Sequence, residues 1–182
     1  MQSSCDGQSF RIPGRLKGVS MAIRLLKIVF VAFISLLCLI YAAQNVANLD
    51  ACYQAFAYVL GRVDHQVYPG SIIPAIQSPV VIWLVLVLVV SLEFAAGLLA
   101  AKGAWDLWGA RKAPAAEFNG AKTYALLGCG MGIVVWLGFF GVFGSALFQM
   151  WQTEIGGGSM EDAFQFFAAC ALIFLVVNSA DN

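Results

Sequence analysis

One acidic residue, Glu93, lies deep inside a long apolar stretch of this 182-residue sequence. An ionisable group buried in an apolar stretch points first to function, such as holding or relaying a proton or a cation. The structural alternative is that Glu93 faces other helices and pairs with Lys27 or Arg24, or stays protonated and hydrogen-bonds a neighbour. Because the apolar stretches contain few other polar side chains, we favour the structural interpretation.

The other reactive side chains are few and scattered. His65 is the single histidine, and the five cysteines include no Cys-x-x-Cys pair. A metal site needs several ligands that converge, and a disulfide framework or a thiol relay needs paired cysteines. Neither a Ser-His-Asp order nor a glycine-rich phosphate loop stands out. We therefore predict no metal, no cofactor and no catalytic activity.

The composition is that of a membrane protein. Hydrophobic residues make up 61% of the chain and charged residues 11%, against roughly 25% charged residues in soluble domains. A bilayer core of about 30 Å requires about 20 apolar residues in a helix. We predict an all-α membrane protein, a four-transmembrane-helix bundle, with spans at about residues 23–43, 80–101, 124–148 and 163–180.

The segment before the first span is polar. We predict that residues 1–20 form a disordered N-terminus and that residues 21–182 form the membrane domain; Met1 and Met21 both remain possible starts. Basic residues followed by an apolar run also suggest a signal peptide. However, Ile40 and Tyr41 occupy positions where a cleavage site needs small side chains, so we interpret the first span as a retained anchor.

The basic residues indicate the orientation. Nine of the ten Lys and Arg residues lie before the first span, at its start, or between the second and third spans, and only Arg62 lies elsewhere. Basic segments stay on the cytoplasmic side of membranes. Both termini are therefore expected in the cytoplasm. The net charge is zero, and we predict no nucleic-acid partner.

The two loops on the outer side have different patterns. In residues 44–78, apolar residues at helical spacing predict an amphipathic helix, which Asn48 or Asp50 is expected to cap. The apolar residues are Leu49, Tyr53, Phe56, Leu60 and Val63. In the second loop, three consecutive glycines, residues 156–158, predict a flexible turn. Ser159 and Asp162 then resemble a capping box for the fourth span.

The third span is rich in glycine. At 100° per residue, Gly128 and Gly132 share one helical face. A roughly opposite face contains Gly130, Gly138, Gly141 and Ser145. Small residues permit close approach of membrane helices. We therefore predict that the third span packs centrally against neighbours on both sides, or offers one face to a partner protein.

Five side chains near the ends of the spans, three of them tryptophans, predict contacts with the membrane interface or with a partner. They are Trp105 and Trp108 after the second span, and Met150, Trp151 and Gln152 after the third.

Several of these segments carry a family resemblance. They are DACYQAFAYVL (residues 50–60), VDHQVYP (63–69), GAWDLW (103–108), FQMWQT (148–153) and AFQF (163–166). They resemble a bacterial family called predicted small integral membrane protein, domain of unknown function 2165, over about residues 21–181. That family tends to have Gly-Gly-Glu where this chain has Gly144-Ser145-Ala146, so no role for that acid is carried over. The resemblance implies fold and membrane location, and no activity.

We therefore expect a small protein of the bacterial inner membrane that is not an enzyme. It would be an accessory or structural subunit that packs in the lipid bilayer against a larger membrane complex or as a homo-oligomer. One alternative is a small transporter or channel that uses Glu93. A further alternative is a cofactor- or quinone-binding membrane subunit.

Overall fold

A computed structural model describes residues 13–181, with side chains from residue 20 onward. All regular secondary structure in this range is helical. The elements are α1 (Pro13–Ala47), α2 (Leu49–Leu60), α3 (Pro79–Ala110), α4 (Ala115–Gly120), α5 (Thr123–Ile133), a π-helical segment (Val134–Leu147), a 3-10 turn (Met150–Gln152) and α6 (Glu154–Asn178).

Four helical stretches are long and apolar enough to cross a membrane, which confirms the predicted fold class. They are Ser20–Ala47, Pro79–Ala110, Ala115–Leu147 and Glu154–Asn178, and we call them the first to fourth spans. Helices suit this setting because they satisfy every interior backbone hydrogen bond within one segment, where lipid offers none. Each span is longer than the sequence predicts, since the helices continue into the polar residues at their ends.

The spans pack in chain order. α3 lies between α1 and α5, and the third span lies between α3 and α6, so both middle spans have two neighbours. The close approach depends on small residues of α3. A Cβ on Gly97 would overlap Leu39 of α1, and a Cβ on Gly103 would overlap Ala125 of α5. The central position expected of the third span is thus shared with α3.

The bundle has two different ends. The basic end, defined by Arg24, Lys27 and Lys122, holds the start of the first span, the end of α3 and the end of α6. The capped end, defined by α2 and residues 61–78, lies opposite. The amphipathic helix predicted there is α2, whose Leu60 packs with Ile82 and Phe148. No side-chain cap is present, because the Asn48 amide donates back to the carbonyl of Gln44.

The N-terminal boundary differs from the prediction. Residues 1–12 of the expected disordered segment lie outside the described residues, whereas residues 13–20 form the first turns of α1. Pro13 begins this helix, at a position where a missing N–H costs nothing.

The predicted glycine turn is wrong. Residues 156–158 belong to α6, which begins at Glu154. The Gly156 N–H donates to Oγ1 of Thr153 at 3.1 Å, so Thr153 is the cap. A Cβ on Gly156 would overlap the Met150 carbonyl, so glycine here permits a close contact. The predicted capping box is wrong for the same reason, since Ser159 lies inside the helix and donates to Ile155.

Candidate functional site

Glu93 lies near the middle of the second span, about 21 Å from its first residue along the helix. Its side chain is almost fully buried, with the residue only 2% exposed. The Nδ2 of Asn45, near the end of α1, donates to Oε2 of Glu93 at 2.9 Å. Among the described residues, this amide is the hydrogen-bond partner of the carboxyl group.

The ion pair considered for Glu93 does not form. Lys27 and Arg24 lie toward the other end of α1, and Lys27 is about 27 Å from Asn45 along the helix. Both bind elsewhere, Lys27 to Asp181 and Arg24 to backbone carbonyls. Of the structural alternatives, the structure therefore agrees with the hydrogen bond to a neighbour.

A buried ion cluster closes the basic end. Oδ2 of Asp181 lies 2.7 Å from Nζ of Lys27 and 2.5 Å from Nζ of Lys122. All three side chains are at most 5% exposed. Both lysines also donate to the carbonyl of Ser179. The cluster therefore ties the first and third spans to the residues that follow α6.

The cluster holds one carboxylate between two ammonium groups. Burial alone would raise the pKa of the Asp181 carboxyl, but the hydrogen bonds and positive charges of Lys122 and Lys27 outweigh this effect and lower it. The carboxylate is therefore ionised at neutral pH. The two lysines also face the C-terminal end of α6, where the helix dipole favours cations. This site is not predictable from the sequence, because no local pattern pairs Lys27 with a residue 154 positions away.

Arg24 makes an equivalent contact at the end of α3. Its Nη1 donates to the carbonyls of Arg111 at 3.2 Å and Ala113 at 2.7 Å. Its guanidinium also lies 4.6 Å from the ring centre of Phe118, a cation–π contact. The C-terminal ends of α3 and α6 are thus both capped by cations from the first span.

Met150, Trp151 and Gln152 lie at the capped end and hold residues 61–78. Oε1 of Gln152 accepts from the N–H of Tyr68 at 2.7 Å. The rings of Trp151 and Tyr68 meet edge to face, with centroids 5.3 Å apart. Met150 is buried, whereas Trp151 remains 38% exposed. All three residues therefore make contacts within the chain, and Trp151 also keeps an exposed surface.

The backbone of the capped end is strained at three positions. Arg62, Asp64 and Gln149 have φ of 52°, 59° and 59°, although none is glycine. This left-handed conformation costs about 1–2 kcal/mol per residue. Arg62 Nη2 donates to Oε1 of Gln149 at 3.1 Å, so two strained positions stabilise each other.

His65 lies next to Asp64 in the same segment. Its pKa is lowered, first by burial and second by the positive charge of Arg62.

A cavity of about 250 Å³ lies beneath the capped end. Its lining is apolar apart from Ser159, whose hydroxyl already donates to Ile155. The lining comes from α2, α3, the third span and nearby residues: Ala55, Phe56, Val59, Leu60, Ile76, Val85, Val89, Phe139, Phe140, Phe143, Gly144, Phe148, Met150 and Ser159.

The glycines of the third span fall into two groups. Gly128 packs against Ala100 of α3 and Gly132 against Cys170 of α6, each so closely that a Cβ would overlap. In contrast, a Cβ on Gly130 or Gly138 would meet nothing within 4 Å. Gly141 meets only atoms of its own segment. Ser145 donates to the sulfur of Met160 at 3.0 Å.

Trp105 and Trp108 lie near the end of α3, at the basic end. They are 75% and 48% exposed. The guanidinium of Arg111 lies 4.1 Å from the ring centre of Trp108. Amphipathic rings beside basic side chains are typical of a membrane interface.

Four apolar spans with a polar cluster at one end define a small helical integral membrane protein. The chain belongs to the family described as predicted small integral membrane protein, domain of unknown function 2165, which matches residues 23–180. This confirms the resemblance identified from the sequence. Comparison with curated proteins and with solved structures gives no match. Family membership shows membrane location and assigns no activity.

Proposed function

We propose that the protein is a non-catalytic accessory or structural subunit, which packs through its third span against a larger membrane protein or a second copy of itself. The observation that carries this proposal is the open glycine face of the third span, defined by Gly130, Gly138 and Gly141. A Cβ added to any of these glycines would meet no other helix of the described chain.

The open glycine face is best explained by a neighbour. A glycine inside a helix costs about 1 kcal/mol relative to alanine, and lipid tails gain nothing from it. The compensating benefit in membranes is close approach of another helix. Gly128 and Gly132 already provide that benefit within the chain. By the same reasoning, the open glycine face suits a helix from outside it.

We further propose that the protein lies in a bacterial inner membrane with the basic end in the cytoplasm. Positively charged residues concentrate at that end, and in the described part of the chain only Arg62 lies at the capped end. This asymmetry follows the positive-inside rule. Trp105 and Trp108 would then lie at the cytoplasmic interface, available to lipid headgroups or to the partner.

A leucine in the open glycine face tests the proposal. We expect Gly138→Leu to abolish a larger particle that the wild type forms after crosslinking and purification in mild detergent. Gly109→Leu is the matched control, because Gly109 also has open space but lies near the end of α3. A wild-type particle that contains a single chain and no co-purifying protein would overturn the proposal.

A second candidate function is transport of a proton or a small cation. The observation that favours it is the Glu93 carboxyl in the middle of a span, with one amide donor. In proteoliposomes, this function predicts flux that Glu93→Gln abolishes and that Asp106→Asn, which changes an acid near the end of α3, leaves intact. Absence of flux through the wild type would remove the candidate.

A further inference from the structure

No side chain from the described residues, 20–181, fills the apolar cavity beneath the capped end. A water molecule in a cavity needs two to four polar partners, and the only side-chain hydroxyl in the lining, that of Ser159, already donates to Ile155. At about 250 Å³, the cavity also exceeds the roughly 150 Å³ of an engineered apolar cavity that binds benzene. Its chemistry therefore fits a hydrocarbon.

The cavity reaches the surface of the third span. Phe143 lines it and is also 49% exposed. Because this segment is a membrane span, the medium at Phe143 is lipid rather than water. The molecules present there at the highest concentration are phospholipids, and occupancy rises with the concentration of a ligand.

We propose that this cavity is a binding site for one acyl chain of a membrane phospholipid. The acyl chain enters beside Phe143 and lies between α2, α3 and the π-helical segment, against Phe56, Val89 and Phe140. It fills an apolar space that no described side chain occupies. The site is separate from the open glycine face, so this inference does not rest on the proposed function.

Photocrosslinking in liposomes tests the site directly. The probe is a phosphatidylcholine with a diazirine in the middle of one acyl chain, and adducts are mapped by peptide mass spectrometry. We expect adducts on the half-buried lining residues Phe56, Phe139 and Phe140. Adducts confined to lipid-facing side chains such as Val142, which is 52% exposed, would overturn the proposal.

A cavity-filling variant provides the matched comparison. Ala55→Phe adds a ring to the lining, and Ala51→Phe adds the same ring to the exposed side of α2. We expect the number of adducts on lining residues to fall about tenfold in Ala55→Phe, because a tenfold loss of occupancy corresponds to the usual cost of overpacking a filled site. The number should stay unchanged in Ala51→Phe. Equal adducts in both would contradict the proposal. If Ala55→Phe does not fold, Val59→Phe replaces it. The map of adducts on the wild-type protein tests the proposal independently of either variant.

The source of the hydrocarbon is tested by extraction. We expect protein purified in mild detergent to retain phospholipid that organic solvent releases. A stoichiometric polyprenyl compound in its place would overturn the assignment to an acyl chain.

Discussion

The two ends of the bundle are held by different forces. The basic end is closed by buried charges, in which Asp181 pairs with both Lys27 and Lys122. The capped end is held by exposed or part-buried hydrogen bonds, including those of Arg62, and by aromatic contacts, over a strained backbone and an apolar cavity. One end therefore depends on a few specific partners, and the other on many weak contacts.

This difference predicts how each end responds to change. Removing one partner of a buried ion pair leaves an uncompensated charge, so the loss is large and affects the whole bundle. Removing one weak contact at the capped end loosens a local region, and such regions open at a small fraction of the global free energy. The capped end is therefore the end expected to move.

The largest effect is expected from Asp181→Ala, which leaves Lys27 and Lys122 buried without their carboxylate. The free energy of unfolding should fall by about 3–5 kcal/mol, measured by denaturation in detergent micelles. The control is Asp106→Ala, which removes an exposed pair with Lys102 and should cost less than about 0.5 kcal/mol. Similar losses in both variants would show that the basic end does not depend on its buried charges.

The same carboxylate predicts a pH dependence. Because the pKa of Asp181 is lowered in the folded protein, its stabilising contribution is complete above its ordinary pKa of 3.8 and is lost as pH falls through the lowered value. The stability difference between wild type and Asp181→Asn should therefore shrink in acid, beginning near the ordinary pKa of 3.8 and continuing as pH falls further. A difference that stays constant in melting curves recorded down to the lowest accessible pH would contradict this.

A smaller effect is expected at the cap of α6. Thr153→Ala removes the acceptor of the Gly156 N–H and should lower the free energy of unfolding by about 1 kcal/mol. Ser159→Ala, at the cap expected from the sequence, should stay within about 0.5 kcal/mol. Thermal unfolding of both variants gives the comparison, and a larger loss at Ser159 would restore the sequence-based boundary.

The smallest effect is expected from a comparison of glycine and alanine variants, which measures the backbone strain alone. At Asp64, where φ is 59°, the glycine variant should be more stable than the alanine variant by about 0.5–1 kcal/mol. At Asp106, inside α3, the order should reverse by a similar amount. Comparing Gly with Ala at one position cancels the lost side-chain contacts. The same order at both positions would mean that the capped end carries no strain at Asp64.

The sequence predicted the features that depend on local composition. Span number, the helix α2 and the family followed from apolar run length, helical spacing and short motifs. The start of α6 was missed because the contact of Gly156 with Met150 outweighs the turn preference of three glycines. The ion cluster was missed because pairing across 154 residues leaves no periodic signal. The cavity depends on how α2 and the third span meet.

The position of Asp181 has a consequence for biogenesis. Chains are made from the N-terminus, and early segments begin to fold during synthesis. Lys27 and Lys122 therefore enter the membrane region long before their common carboxylate, which follows α6, has been made. Until then, the nascent bundle keeps two lysines unpaired at its basic end. A chain that ended before residue 181 would therefore keep both lysines without their carboxylate, even with all four spans inserted.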